Sequence, residues 1–413
     1  MLRKRAWIKF IKIMCCISIV IPFLTGCWDR LEIEERAVVL GVSIDTADTE
    51  KAEQEEDEVS HVHESIPAPQ KGMIRVAVQI ALPGRIPLGP GESGGGKGSE
   101  SQTVWVIEVV GHSIDDAIMN LQQQVSSRLF FGHLRVIIVS EAVAKKGLEN
   151  INDYFRRNPE LRRMAWLMVS KGNALKFMKA APKLQRVPTL YLMTTLDEGI
   201  RLGKFPKDYI GIFWSNESKK GQEGFLPYVE MKKEQNVEIK GLAYFVGDQM
   251  VGATKPFEIA GYLGIKGVSP AGYRRFIQLG GSSEMVMTNA TQRKSKIDVQ
   301  IKNNIPHFTV KLSMEFDVEE KLSEKIDINN PKLLKEIEQI QEESAVKFYM
   351  KMIKKTQVKG SDIFGFGEYV RARKPRYWNQ QIKTAEKWRS MYKESTFDVK
   401  VSRKIRRIGM KAK

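Results

Sequence analysis

The chain switches repeatedly between the hydrophobic period of strands and that of helices, and this alternation restricts its fold more than any other feature. Runs of apolar and β-branched residues predict buried strands at 37–45, 74–82 and 103–110. After Gly111 the period lengthens and Ser113 is a plausible helix N-cap. The apolar stripe of the predicted helix is formed by Ile114, Ala117, Ile118, Leu121 and Val125.

Two further buried strands are predicted at 134–139 and 164–169. Helical patterns over 141–146 and 149–157 lie between them. A strand–helix–strand order of this kind requires crossover connections and some parallel strand pairing. The first part of the chain should therefore form a mixed sheet flanked by helices.

The C-terminal part has a different pattern. Residues 307–318 alternate strictly between apolar and polar side chains, which predicts a strand with one buried face and one solvated face. A long amphipathic helix is expected to begin after an N-cap at Asn330 and to reach about Lys355. A second helix over roughly 378–392 and a closing strand over 396–408 should complete this part.

The length of the chain exceeds what one hydrophobic core usually supports, so we expect several domains. We predict an α+β ectodomain of three units, with mixed and antiparallel sheets flanked by helices. The units are an N-terminal mixed α/β domain (27–205), a small middle α+β domain (206–290) and a C-terminal α+β domain (291–413). Within the middle unit, a two-residue turn at Gly247-Asp248 predicts a hairpin.

Two segments of the first unit, about 46–72 and about 86–102, are predicted to be mobile insertions. The first is strongly acidic and the second is rich in glycine. Gly91, Gly96 and Lys97 have the spacing of a phosphate-binding loop, but such a loop needs a helix directly after it. A strand pattern follows instead, so we predict no nucleotide site and no cofactor.

The N-terminus has the composition of an export signal. The first twelve residues are basic, and an apolar run from Ile13 to Leu24 follows. This run is shorter than the roughly 20 residues that a spanning helix needs. A basic start, a short apolar run and small residues before a cleavage point predict a signal peptide over 1–26.

The signal ends in Leu24, Thr25, Gly26 and Cys27, which resembles the lipobox of bacterial lipoproteins. In such proteins the cysteine thiol receives a diacylglyceryl group before cleavage, and two acyl chains hold a protein stably on a membrane. The resemblance implies lipid attachment at Cys27. Cys15 and Cys16 would be removed with the signal. The mature chain would then have no free thiol, which excludes disulfides, thiolate catalysis and cysteine-ligated zinc.

The formal net charge is +17, and the five cations of the signal account for only part of it. A basic excess is typical of proteins that meet nucleic acid or anionic membranes. For an exported, lipid-anchored protein we expect anionic headgroups as the partner and no nucleic acid. A solvated basic surface without a specific role stays an equal alternative.

Three sequence blocks together resemble one known family. The blocks are Gly26–Glu35 with Val39–Asp45, then Phe131–Ser140 with Gly147-Leu148 and Arg156–Arg162, and finally Asp362–Gly367 with Pro375 and Trp378. In this combination the chain resembles the Ger(x)C family of spore-germination lipoproteins, the C subunits of nutrient germinant receptors. The similarity runs from the lipobox to the last predicted strand.

This resemblance implies a three-domain α+β protein with no known catalytic activity. From the residues themselves we expect no metal site and no cofactor. It implies two integral membrane partners, an A subunit and a permease-like B subunit. It also implies a lipid-anchored location on the outer face of the spore inner membrane, with a role in receptor assembly or signalling.

The residues of the family signature have two possible roles. Asp362, Gly365, Gly367 and Trp378 could contact a partner, but glycines between phenylalanines are more typical of a buried turn, and we favour that structural role. Trp28 and Asp29 directly follow the lipid-bearing cysteine. Trp28 is equally suited to the membrane interface and to packing on the ectodomain.

Two other functions are consistent with an exported chain of this size. A solute-binding lipoprotein of a transporter would have two similar lobes, and the unequal C-terminal part argues against it. A carboxylate-dependent hydrolase of cortex peptidoglycan is not excluded by composition, although no pair of acids and no hydrolase motif stands out.

Overall fold

The computed structural model describes most of the chain from residue 35 onward. The described residues are 7, 11–15, 18, 35–48, 72–82, 103–180, 185, 187–233, 236–279 and 283–407. The predicted lipobox (Leu24, Thr25, Gly26 and Cys27), together with Trp28 and Asp29, lies outside them. So do the second predicted insertion and nearly all of the first.

Nine of the described strands form one mixed sheet, which begins with β1 (Arg36–Thr46). The other eight are β2 (Ile74–Ala81), β3 (Val104–Gly111), β4 (Arg128–Phe130), β5 (Val136–Ser140), β6 (Trp166–Ser170), β7 (Phe225–Met231), β8 (Val237–Val246) and β9 (Gln249–Ala253). The order is β3-β2-β1-β5-β6-β7-β8-β9, with β4 pairing to the start of β1. Parallel pairs from β1 to β7 form the centre, and antiparallel pairs form both sides.

Helices cover both faces of this sheet, which explains why its central strands are apolar throughout. The helices are α1 (Ile114–Gln123), α2 (Glu141–Lys146), α3 (Glu149–Arg157), α4 (Leu175–Met178), α5 (Pro188–Arg201), α6 (Ile210–Glu217) and α7 (Glu258–Lys266). Alternate residues of β5 point to opposite faces of the sheet and pack in different hydrophobic cores. Ile137 and Val139 pack with Phe213 of α6, whereas Val136 and Ile138 pack in the same core as Leu192 of α5.

A second sheet contains four described strands in the order β10-β11-β12-β13. They are β10 (Arg274–Gln278), β11 (Met285–Lys302), β12 (Ile305–Lys321) and β13 (Thr396–Arg407). The long hairpin of β11 and β12 turns at Asn303 and Asn304, whose φ angles of 49° and 62° suit a two-residue turn. β13 pairs with β12 in parallel.

The connection from β12 to β13 is helical. It consists of α8 (Pro331–Lys359), α9 (Phe366–Arg373), α10 (Pro375–Tyr377), a π turn (Trp378–Ile382) and α11 (Ala385–Glu394). Asn330 caps α8 by accepting a hydrogen bond from Lys332 N at 2.9 Å, and Gly360 ends it with a φ of 75°. The apolar face of α8 covers the sheet through Ile337, Ala345, Tyr349 and Ile353.

The α+β fold class is confirmed, and most predicted elements are present within a few residues of their predicted ends. The single helix predicted over 378–392 is wrong. Lys383 has a φ of 63°, which ends the π turn, and the Thr384 side chain then accepts a hydrogen bond from Lys387 N to begin α11.

The division into units 27–205, 206–290 and 291–413 stays a prediction. The first sheet takes β1–β6 from the first of these units and β7–β9 from the second. β11 itself runs across residue 290. The two sheets, rather than the three predicted units, are therefore the layers in which the described residues pack.

Shortening Ile353 to alanine should destabilise the protein, because this side chain of α8 is 1% exposed within the core that both sheets share. We expect a loss of about 3 kcal/mol in the free energy of unfolding, the usual cost of an isoleucine-to-alanine cavity. Urea unfolding followed by circular dichroism measures it. Val358→Ala is the matched control, because Val358 lies on the same helix and is 59% exposed. Equal losses in both variants would contradict the packing described here.

Candidate functional site

The family signature forms a buried turn organised around the carboxylate of Asp362. The turn lies between α8 and α9, and Asp362 is fully buried. One carboxylate oxygen accepts the N–H of Gly365 at 2.9 Å. The other accepts the N–H of Gly367 at 2.9 Å and the indole N–H of Trp388 at 3.0 Å. Burial raises the pKa of Asp362 to about 6, while the hydrogen bonds from Gly367 and Trp388 act in the opposite direction.

Both glycines of the turn have a physical reason to lack a side chain. Gly365 has a φ of 75°, a conformation that other residues adopt only with strain. Gly367 makes a close approach: a Cβ atom there would lie 2.5 Å from the Trp388 ring and 2.6 Å from the Cα of Gly221. The turn therefore depends on glycine for backbone conformation at one position and for space at the other.

The turn joins the C-terminal helices to the first sheet through backbone hydrogen bonds. Glu223 N donates to the carbonyl oxygen of Asp362 at 2.9 Å, and Glu368 N donates to that of Gly221 at 3.2 Å. The hydroxyl of Ser361 donates to the carbonyl oxygen of Phe245, at the end of β8, at 2.5 Å. We call this contact between residues 361–368 and residues 221–223 the signature joint.

A buried ion pair strengthens the signature joint. Arg389 of α11 donates through Nε to Glu223 Oε1 at 2.6 Å, and the other oxygen of Glu223 accepts Gly247 N at 2.8 Å. Glu223 is 4% exposed. Burial raises the pKa of Glu223, and Arg389 opposes that rise. The pair ties α11 to the turn between β8 and β9, and removing Arg389 would leave the buried charge of Glu223 without compensation.

Aromatic side chains surround the turn on its other side. Phe366 lies 4.9 Å, between ring centroids, from both Phe308 and Phe397 of the second sheet. Trp378 is 3% exposed, and its ring lies 5.9 Å from that of Trp388. The signature residues that the structure describes are thus all buried, which favours their structural role over direct contact with a partner.

The receiving half of the signature joint could not be predicted from local sequence patterns. Residues 221–223 and Arg389 carry no recognisable motif, and their distance along the chain from Asp362 hides the pairing. Gly221 was a sequence signal for this half of the joint, because a glycine outside a predicted turn indicates close approach of another backbone.

A basic edge lies where the parallel strands of the first sheet begin. Arg36 and Arg128 are paired in register between β1 and β4. Arg162 and Arg135 lie near His133, whose pKa is lowered by burial and by these two arginines. We define the basic edge by these five residues. Glu160 is an acid nearby, at 3.7 Å from Arg128.

An apolar groove of about 760 Å³ runs between α5 and the start of α7. Its walls include Tyr191, Leu202, Phe257 and Tyr273. Within the described ranges, no three histidine, cysteine or acidic side chains come together as a metal site would require. In that same part of the chain, no helix combines the length and the hydropathy needed to cross a bilayer.

Replacing Gly367 by alanine should destabilise the signature joint, because the new methyl group would overlap Trp388 and the backbone of Gly221. Overpacking of this kind typically costs about 1–3 kcal/mol. The free energy of unfolding, measured in urea, should fall by that amount. Gly72→Ala is the control, since a Cβ atom at Gly72 meets nothing within 4 Å. A stable Gly367→Ala variant would show that the close approach is not required.

Comparison with protein families gives two successive matches. The family described as "Spore germination protein N-terminal domain" matches residues 29–231. The family described as "Spore germination B3/ GerAC like, C-terminal" matches residues 240–409. The first match contains β1–β7, and the second contains the signature turn and the whole second sheet.

Curated relatives carry names of the same kind. Spore germination protein KC of Bacillus subtilis (strain 168) is 24% identical over 97% of this chain and 95% of its own length. Spore germination protein GerQC of Bacillus cereus is 23% identical over 77% of this chain and 85% of its own length. A solved structure, the crystal structure of the GerBC protein, shares the fold with a TM-score of 0.53 at 18% identity, covering 83% of this chain and 96% of that one. The chain belongs to the Ger(x)C family of spore germination proteins.

Proposed function

We propose that this protein is a lipid-anchored, non-enzymatic C subunit of a spore nutrient germinant receptor. Its ectodomain would dock on the integral A and B subunits at the outer face of the spore inner membrane. There it would act in receptor assembly or signalling. The observation that carries the proposal is the pair of spore-germination family matches, which together extend from residue 29 to residue 409.

The position of the lipobox supports the anchor. Cys27 stands two residues before the first family match begins, so cleavage there would leave the matched domain at the new N-terminus. A diacylated cysteine would attach the chain without any spanning helix. Lipid attachment would also confine the ectodomain to the membrane plane, which raises its effective concentration near integral partners.

The link between the lipid and the fold would be short. Eight residues separate Cys27 from the start of β1 at Arg36, and an extended chain of that length reaches about 30 Å. The first sheet would therefore stay close to the headgroups. The basic edge begins at this same residue, Arg36, so the tether would hold positive charge near an anionic surface.

The signature joint supports a role in which the ectodomain acts as one rigid body. It links the C-terminal helices to the first sheet by hydrogen bonds from Glu223, Ser361 and Glu368 and by the ion pair of Arg389. An ectodomain held together in this way presents its docking surfaces in a fixed relation to each other. A displacement imposed on one layer by a partner would reach the other layer through the joint.

Replacing Cys27 by alanine tests the anchor and the receptor role together. The variant should leave the spore membrane fraction, and the germination response to at least one nutrient should fall, because the ectodomain is no longer concentrated at the membrane. Membrane fractionation with immunoblotting and loss of spore optical density measure the two effects. Cys16→Ala is the matched control, because it removes a thiol from the signal without altering the lipobox.

The two parts of the proposal fail in different ways. Retention of the Cys27→Ala variant in the membrane fraction of spores that lack the A and B subunits would refute the lipid anchor. Release of the variant with every nutrient response unchanged would leave the anchor in place and remove the support for a receptor role.

The basic edge provides a second test. In the non-lipidated Cys27→Ala background, reversing Arg128 and Arg162 to glutamate should weaken binding to phosphatidylglycerol vesicles tenfold or more, since each basic residue near such a surface contributes about 1 kcal/mol. Vesicle co-sedimentation at low and high salt measures this. The control reverses Lys374 and Arg376, which are exposed on the C-terminal helices. An equal loss in the control pair would mean that net charge, not the basic edge, governs binding.

The solute-binding alternative is favoured by one observation, the apolar groove beside Phe257 and Tyr273. A groove of this volume is large enough for a small molecule. Thermal stabilisation of the protein by an amino acid or a sugar would support this alternative, because a ligand that binds only the folded state raises its stability.

A further inference from the structure

Three arginines occupy inward-facing positions of the second sheet, where apolar side chains are normally found. Arg293 on β11 and Arg403 on β13 both lie in register with Met314 of β12. Arg293, Met314 and Arg403 therefore form one row across the sheet. Arg275 on β10 is in register with Thr288, which is 3% exposed. The helix α8 covers this face. Guanidinium groups are therefore held in a layer that the rest of the sheet fills with hydrophobic residues.

These arginines have polar neighbours, and the nearby carboxylate of Glu342 accepts from the backbone N–H of Arg403 at 2.8 Å rather than from its guanidinium group. Arg293 donates through Nη2 to the carbonyl oxygens of Gly203 and Ala271 at 3.0 and 2.7 Å. Arg275 donates to the hydroxyl of Ser344 at 3.0 Å. Among the ion pairs of the described residues, none involves the guanidinium of Arg275, Arg293 or Arg403. Burial lowers the pKa of all three, and that of Arg293 to about 10.

The three side chains line one small cavity of about 40 Å³. Gln341 of α8 also lines it and is 1% exposed. Its amide orientation is fixed because Oε1 accepts a hydrogen bond from Nη1 of Arg403. This leaves the Nε2 of Gln341 as a buried donor without an acceptor, and the Nε of Arg403 makes no hydrogen bond of good geometry, although the Tyr349 hydroxyl lies beside Arg403 and lines the same cavity. Both unmatched groups on this wall are donors, so the missing partner is an acceptor.

We propose that this cavity binds a small monovalent anion of halide or carboxylate size, held by Arg275, Arg293, Arg403 and the amide of Gln341. An anion would supply the acceptor that the two free donors lack and the negative charge that the guanidinium groups lack. Arginine suits such a site because its donors are fixed in a planar fork and it stays charged when partly desolvated.

Size and charge both restrict the occupant. A cavity of about 40 Å³ exceeds the roughly 10–15 Å³ that one water molecule needs, but it is too small for a nucleotide or a sugar phosphate. Water would satisfy the donors of Gln341 and Arg403 and leave the positive charge uncompensated. The large energetic cost of unpaired buried charge favours an anion.

The site would also stabilise contacts between the layers. Arg293 reaches Gly203 beyond α5 and Ala271 before β10, whereas Arg403 lies on β13 and Gln341 on α8. A bound anion would therefore hold four separate segments around one charge. Its effect should appear as thermal stability of the whole chain, independent of any germination role.

The test is an anion titration of the full chain in a non-ionic detergent. Sodium gluconate is replaced stepwise by sodium chloride or sodium formate at constant ionic strength, and the Tm is recorded. Binding predicts a Tm that rises and then saturates. The Arg403→Gln and Arg275→Gln variants should lose this saturating rise, while Arg376→Gln, an exposed control, should keep it. Chloride-35 line broadening, measured on the same variants, detects binding even where a variant changes Tm for other reasons.

The outcomes separate the possible explanations. A saturating rise with both chloride and formate that both cavity variants abolish supports the site, and the stronger of the two identifies the preferred anion. A linear rise, equal in wild type and variants, would reflect a general salt effect and overturn the proposal. Absence of chloride-35 broadening together with an unchanged Tm in both salts would mean that water fills the cavity, and would overturn it equally.

Discussion

One buried carboxylate, which accepts three N–H groups, shapes the turn through which the two layers of this protein are joined. Asp362 fixes the conformation of the turn after α8. The turn then places its own backbone groups where they form hydrogen bonds with Gly221 and Glu223. A carboxylate in this environment is expensive to desolvate, and its raised pKa expresses that cost. The cost is tolerated because a charged acceptor satisfies donors from the backbone and from Trp388 at the same time.

The joint explains why the signature residues are buried although they identify the family. Their task is to fit Gly367 against Gly221 and Trp388, where no larger residue has room. The four described signature residues (Asp362, Gly365, Gly367 and Trp378) are buried and offer no exposed surface. A signature of this type is part of the internal frame of the protein.

Sequence patterns were sufficient for the elements that have a strong period. The alternation of residues 307–318 predicted β12, and the cap at Asn330 predicted the start of α8, because both signals are local. The features that the sequence patterns did not predict are determined by tertiary packing. The positive φ of Lys383 divides the predicted helix over 378–392, and no local pattern indicates it. Likewise, a structural turn at Gly365 and Gly367 was favoured from the sequence, but Trp388 and Glu223 become neighbours of Asp362 only in the folded chain.

The parallel pairing of β13 with β12 has a consequence for the order of folding. β12 ends at Lys321, and its parallel neighbour begins at Thr396, after the whole helical connection. Until that late segment arrives, β12 has an open edge of unpaired backbone groups and α8 has an incomplete surface to pack on. A chain that folds from its N-terminus would thus pass through a state with an exposed strand edge, and its assembly would be slow and vulnerable to proteases until the last strand is in place.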